Sequence, residues 1–305
     1  MNNKEQQNIQ SEKTLTEIFK YNAEAGASEY HVMIHSTKPE DTYEEQLNAV
    51  LNTYDNLLAK ELKGGVAVFK RYFLSDAANQ ADTLLALTTE GSDCALSIVE
   101  QPPLDGTKIA LWVYLQTDIQ TQVLHNGLFE VKHGAYRHLW AGSAFNRAAN
   151  SEYQTRLLLN DYVMQLMEQG CRLADHCIRT WFFVQNVDVN YAGVVKARNE
   201  VFVTQNLTEK THYISSTGIG GRHADPKVLV QMDTYAIAGV KPEQIHFLYA
   251  PTHLNPTYEY GVSFERGTYV DYGDRLQVFI SGTASINNKG EVVHPGEDRK
   301  STRLN

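Results

Sequence analysis

The 305-residue sequence has no apolar run approaching the roughly 18 residues that a membrane-spanning helix needs. Its first eleven residues are polar and lack the apolar segment of a secretory signal. A basic excess is also missing: 27 Lys and Arg stand against 36 Asp and Glu, a formal net charge of −9. Phosphate neutralisation supplies most non-specific nucleic-acid affinity, so no nucleic-acid partner is expected, and no membrane partner either. The three cysteines, Cys94, Cys171 and Cys177, are odd in number and show no CxxC spacing. That argues against a disulfide framework and a metal quartet, and fits a reducing cytoplasm. The eleven histidines are scattered; His31 and His35 fall on a predicted strand without a third ligand, so no metal site is expected. What remains is an ordinary globular composition, 42 % apolar and 21 % charged, in a chain long enough for two domains or three small ones.

Organisation emerges from repetition. Residues 1–20 read as a frayed, polar lead-in. Residues 30–35 predict a strand. Thr42 is placed to cap a helix whose Tyr43, Leu47, Val50, Leu51, Tyr54 and Leu57 recur at spacings of three and four, and Gly64-Gly65 ends that segment. A strand over 66–74, a helix over 77–87 and strands over 95–99 and 108–115 follow. The same order recurs from 136: strand 136–145, a helix with Tyr153, Leu157, Tyr162, Val163, Leu166 and Met167 on one face, strand 177–184, helix 191–203, then strands 213–216 and 228–236. Residues 275–286 begin a third copy. Leu139-Trp140-Ala141-Gly142-Ser143-Ala144 and Phe279-Ile280-Ser281-Gly282-Thr283-Ala284 fix the register between copies. A period of roughly 110–130 residues implies repeated domains and not a solenoid. The fold class expected is α+β, with tandem modules that each place two helices on one face of a sheet, arranged as a pseudo-trimer in a complete chain.

The boundaries expected are a flexible lead-in at 1–20, a divergent first module at 21–118, a second at 119–240, and a connector with the truncated start of a third at 241–297. Residues 298–305, Asp-Arg-Lys-Ser-Thr-Arg-Leu-Asn, resemble a translated sequencing adapter and are expected to be a non-native tail on a truncated chain.

Several of these segments resemble the Rid/YjgF superfamily, also labelled endoribonuclease L-PSP-like. The phrase 279–286, FISGTASI, with the following Gly290-Glu291-Val292-Val293-His294-Pro295-Gly296, is similar to that fold's opening hairpin, and 68–76, VFKRYFLSD, to its middle strand. Arg179-Thr180-Trp181, the run 191–202 with Arg198, and 215–221, SSTGIGG, resemble the multi-module chorismatases more closely. The resemblance implies a cytoplasmic hydrolase that cleaves the enolpyruvyl ether of chorismate or a related carboxylate and releases pyruvate, with no cofactor. The alternatives are a Rid-type enamine or imine deaminase and a non-catalytic module that binds a small metabolite. The family's catalytic acid lies in the C-terminal part of the third module, so the catalytic residue is unassigned here and the truncated chain is expected to be inactive.

Chorismate carries two carboxylates, and the planar fork of arginine binds a carboxylate bidentately. Arg266, Arg179 and Arg198 are therefore the candidate substrate-binding residues, each with a solvated or ion-paired role as the plainer reading. In the glycine-rich STGIGG run, backbone N–H groups approach an anion closely, which singles out Thr217 and Gly218. This run lacks the lysine and spacing of a nucleotide-phosphate loop. Tyr258 and Tyr260 are candidates for an aromatic pocket wall. Glu259 and Glu265 are possible acids near Arg266, and Cys171 and Cys177 read as buried small hydrophobes.

Overall fold

A computed structural model describes residues 4–23, 27–88 and 94–293, so the tail expected at 298–305 lies outside the described residues. The chain divides into two compact units, residues 1–143 with 221–228, and residues 144–220 with 229–305.

The first unit is built on a six-stranded sheet. Its strands are β1 (Lys4–Gln10), β2 (Thr14–Asn22), β3 (Ser28–Ser36), β4 (Val66–Leu74), β5 (Ala95–Glu100) and β6 (Ile109–Gln116). They run in the order β1-β2-β3-β6-β4-β5. Helices α1 (Tyr43–Ala59) and α2 (Ala77–Leu87) pack on this sheet. Thr42 and Glu45 form a reciprocal capping box that starts α1: Glu45 N–H donates to Thr42 Oγ1, and Thr42 N–H to Glu45 Oε2 at 2.8 Å. The buried stripe of α1, including Leu47, Val50 and Leu57, meets Val32, Ile34 and Leu111 of the sheet. Each such side chain stabilises the fold by about 1.5–3 kcal/mol on burial. Three further strands belong largely to this unit: β7 (Gln120–Val123), β8 (Phe129–His133) and β9 (Tyr136–Phe145), an antiparallel meander.

The polar lead-in expected at 1–20 is instead the β1–β2 hairpin, paired from Lys4↔Tyr21 to Gln10↔Leu15. Its inward positions are filled by threonine as much as by apolar residues. Thr14, Thr16 and Ile18 are buried, and Thr14 Oγ1 lies 2.9 Å from Thr53 Oγ1 of α1. Threonine suits a strand, but it hides the alternation from a reading based on hydrophobicity.

In the second unit, α3 (Ser151–Glu168) and α5 (Val187–Thr204) pack on each other; the short α4 (Leu173–His176) lies between them in sequence. Strands β10 (Cys177–Val184), β11 (Ser215–Gly220) and β12 (Val230–Ala238) accompany them. β10 pairs parallel with β11 and antiparallel with β12. A separate three-stranded sheet joins β13 (Ile245–Leu248), β14 (Gly267–Asp271) and β15 (Leu276–Ile280) in that order. The strand expected over 275–286 therefore stops at Ile280, and Ile286 pairs only in an isolated bridge with Val292.

The buried face of α3 also differs from the expected one. Tyr153, Leu157 and Met167 are exposed, whereas Gln154, Thr155, Leu158 and Leu159 are buried. Gln154 accounts for the rotation. Its Oε1 accepts the N–H groups of Leu229 and Val230 at 2.7 and 3.1 Å, and its Nε2 donates to Ala148 O at 2.9 Å. These bonds satisfy backbone groups that would otherwise be buried without partners.

All three cysteines are buried. Burial pushes the Cys177 thiol up to about 12, so almost no thiolate exists at neutral pH. The native chain is expected to give no rapid reaction with a thiol reagent at pH 8. After unfolding, all three cysteines should react. Fast labelling of native protein at Cys177 would contradict this environment.

Candidate functional site

Helix α5 buries Val194, Ala197, Val201 and Phe202, and Arg198 falls on the same stripe. Arg198 is 1 % exposed, with its guanidinium 5.9 Å from the Phe264 ring centre. Its Nε and Nη2 make no hydrogen bond. These two nitrogens form one edge of the guanidinium, the edge that grips a carboxylate side-on. A solvated helix face, the plainer reading of Arg198, is thereby excluded. Burying a charge without hydrogen bonds is costly, so a site that keeps one is poised for an anion.

Arg198 lines a cavity of about 240 Å³. Aromatic walls come from Tyr191, Tyr260 and Phe264, and hydroxyls from Ser216 and Thr283. Gly218 supplies a close approach: a Cβ there would lie 2.5 Å from Tyr191 Cε2. Gly282 and Ala284, from the Ser-Gly-Thr-Ala phrase recognised in the sequence, complete a wall of small residues. Backbone bonds set this wall, with Ser281 N–H donating to Arg266 O at 3.0 Å and Ser216 N–H to Ser281 Oγ at 2.9 Å.

Asn199, adjacent to Arg198, was not singled out by the sequence as a site residue. Its Nδ2 donates to Gly261 O at 3.0 Å, and its Oδ1 accepts from Ser263 Oγ at 2.6 Å. These two bonds hold the segment that carries Tyr260 and Val262 against α5. The only sequence signal was position: a polar residue beside an arginine on an apolar stripe.

The other sequence candidates separate around this cavity. Arg179 on β10 is buried, donates through Nη2 to Thr217 Oγ1 and stacks 4.8 Å from the Trp181 ring centre. Thr217 Oγ1 also accepts Gly282 N–H at 2.9 Å, so Arg179 and Thr217 buttress the wall without lining it. Arg266 donates to Asn255 O at 2.7 Å and lies 5.6 Å from the Tyr260 ring centre. It lines a neighbouring cleft, as does Tyr258, which is 47 % exposed in the turn Thr257–Tyr260. Arg198, Gly218 and Tyr260 are thus brought together, whereas Arg266 and Tyr258 are not among the cavity's lining residues.

Two titrating groups near the cavity are shifted. Burial raises the Tyr260 hydroxyl, and the Arg266 charge opposes the rise. Glu265 is buried, and that burial raises its carboxyl above 4.5, against the opposing bond from Tyr213 N–H at 2.8 Å. A carboxyl raised in the folded state contributes stability below its unfolded value and loses it as pH rises through the folded value. Glu265→Gln is therefore expected to match the wild type in thermal midpoint near pH 4, and to exceed it increasingly toward neutrality. A wild type more stable than the variant at pH 7 would contradict this. Among the described residues, no group of three or more His, Cys, Asp or Glu is placed to hold a metal ion, and no helix is long and apolar enough to cross a membrane.

Comparison with solved structures bears on the architecture. A crystal structure of a chorismatase superposes with a TM-score of 0.58 at 16 % identity, over 80 % of this chain and 71 % of that one. The chain has a chorismatase-like fold. Its α+β architecture is the tandem arrangement of Rid/YjgF-like modules expected from the sequence. A YjgF family member from Mycobacterium tuberculosis aligns at 18 % identity over 36 % of this chain and 84 % of that one, TM-score 0.29. The YjgF gene product of E. coli aligns at 16 % identity over 35 % and 84 %, TM-score 0.30. No protein-family profile and no curated protein matches the chain.

Proposed function

We propose that the chain binds chorismate or a related small enolpyruvyl carboxylate in the Arg198 cavity, as a cytoplasmic chorismatase-like hydrolase that releases pyruvate. The observation that carries this reading is the unpaired Nε/Nη2 edge of the buried Arg198 beside an aromatic-walled cavity. A carboxylate accepting both N–H groups would neutralise the charge and complete its hydrogen bonding. The chemistry then requires protonation of the enol carbon, attack of water on the resulting oxocarbenium carbon, and collapse of the hemiketal to pyruvate and an alcohol. It needs no cofactor.

A second reading, a binding module without turnover, is favoured by one specific observation. Among the described residues no carboxyl group lines the cavity; its proton donors are the hydroxyls of Tyr191, Tyr260, Ser216 and Thr283. The deaminase alternative has less support, because β5 and β11, the strands before the last of each module, contain no arginine.

Calorimetry with chorismate, combined with a pyruvate assay, separates these readings. Binding with pyruvate release, both lost in Arg198→Ala, is the result expected of a hydrolase. Binding without pyruvate supports the module, and absence of binding overturns both.

Gly218→Ala offers an internal check. The new methyl displaces the Tyr191 ring, a flexible group, so stability should change little. The altered wall is expected to weaken chorismate binding by about tenfold, the equivalent of about 1.4 kcal/mol. Unchanged affinity would remove Gly218 from the site.

A further inference from the structure

The Arg198 cavity holds one positive charge. Among its described lining residues Arg198 is the only charged side chain; the others are the rings of Tyr191, Tyr260 and Phe264, the hydroxyls of Ser216 and Thr283, and small or aliphatic residues. Arg179 donates to Thr217 Oγ1 and does not line the cavity. Arg266 keeps Nε and Nη1 unpaired, but it lines the neighbouring cleft. One carboxylate on the Nε/Nη2 edge therefore neutralises the cavity. A second one buried with it would leave a negative charge out of water and without a partner, which carries a large desolvation cost.

Size leads to the same limit. A cavity of roughly 150 Å³ takes a benzene ring, and a water-sized group takes about 30 Å³. The volume of about 240 Å³ is thus filled by a six-membered ring with one carboxylate. The second arm of chorismate, an enol ether with its own carboxylate, exceeds that space. Tyr260, 42 % exposed, marks where the cavity meets solvent. Aromatic walls favour a flat ring, because ring pairs gain beyond the area they bury.

We infer that the cavity recognises a single carboxylate borne on a flat six-membered ring. The carboxylate sits on the Nε/Nη2 edge of Arg198, and the ring packs among Tyr191, Tyr260 and Phe264. In chorismate this is the ring carboxylate, and the enolpyruvyl arm lies in water beside Tyr260. The inference rests on the reading of Arg198 as a carboxylate ligand, and it applies to a hydrolase and to a binding module alike.

The test is a calorimetric titration of the full chain with benzoate, phthalate, 2-methoxyacrylate and chorismate at matched ionic strength. Benzoate is expected to bind within about threefold of chorismate, because a carboxylate left in water is screened and adds little. Phthalate must bury its second carboxylate beside the first, and 2-methoxyacrylate offers the enol ether and carboxylate without the ring. Each should bind at least about tenfold more weakly than benzoate. Arg198→Met should lose benzoate binding. Phthalate or 2-methoxyacrylate matching benzoate, or chorismate bound while benzoate is not, would overturn the inference and leave Arg198 as a carboxylate ligand. Failure of all these carboxylates to bind would instead overturn the reading of Arg198 itself.

Discussion

Arg198→Met is expected to stabilise the chain and, in the same molecule, to remove its affinity for carboxylates. The two effects have one cause. In the unliganded protein the guanidinium is 1 % exposed, and its Nε and Nη2 are without acceptors. Unsatisfied buried donors cost about 1–3 kcal/mol, more when the group is charged. Replacing buried charge with an apolar side chain of similar volume is often neutral or stabilising. Methionine is flexible enough to fill the space along α5 beside Val194, Val201 and Phe202, so unfolding in denaturant should show a gain of about 1–3 kcal/mol. The ligand would lose a bidentate, charge-assisted pair of hydrogen bonds, and chorismate affinity should fall by roughly 10- to 100-fold. An arginine with a purely structural role predicts the opposite sign for the stability change. Stability and affinity together therefore separate a ligand-binding arginine from a structural one.

The second large effect lies in the first unit, at Gly142 on β9. A Cβ there would stand 2.3 Å from Leu96 O, 2.5 Å from Leu96 C and 3.0 Å from Ser97 N, all backbone atoms of β5. No rotamer change relieves that conflict, so β9 must move away from β5. The next residue, Ser143, has a φ of 52°, and its Oγ accepts Ile98 N–H at 2.9 Å. That bond would be strained together with the strand. Overpacking and the lost bond combine to an expected cost of about 2–4 kcal/mol for Gly142→Ala, a large share of the 5–15 kcal/mol that typically holds a domain together. Gly220→Ala is the matched control: its Cβ meets nothing within 4 Å, so its midpoint in urea should stay close to wild type. Equal destabilisation by both substitutions would show that the β9–β5 approach is looser than the geometry indicates.

These two positions also mark how far the sequence was legible. Gly142 lies in the phrase that set the register of the repeats, and it is needed for a backbone contact that no composition argument reveals. The strands over 66–74, 136–145 and 177–184 and the helix over 77–87 have the bounds expected, because turn residues and dense β-branched or aromatic runs delimit them. β1 was missed because it is an exposed polar strand with one apolar residue, Ile9, and β2 because the buried Thr14 and Thr16 stand where apolar residues would announce a strand. The face of α3 was misread because Gln154 is held inward by backbone N–H groups more than seventy residues along the chain, a contact invisible to helical periodicity.

The site was legible in part. Arginine as a carboxylate ligand was foreseen, and Arg198 was among three candidates. Arg266, first on motif position, is also buried with Nε and Nη1 unpaired, but these two do not form the Nε/Nη2 edge, and Arg266 lines the neighbouring cleft instead of the cavity. Arg198 could have been promoted by a purely physical observation. It sits at the buried spacing of Val194, Ala197 and Val201, where a lone cation is expensive unless it has a purpose.

The most direct measurement of the central claim is the Arg198 Nε–H resonance in a 15N-labelled sample titrated with chorismate. If a carboxylate occupies the Nε/Nη2 edge, this proton moves downfield and exchanges more slowly with water as chorismate is added, and the Arg198→Met sample lacks the peak. An Arg198 Nε–H signal that stays unmoved at saturating chorismate, while other residues respond, would place the ligand elsewhere and contradict the account.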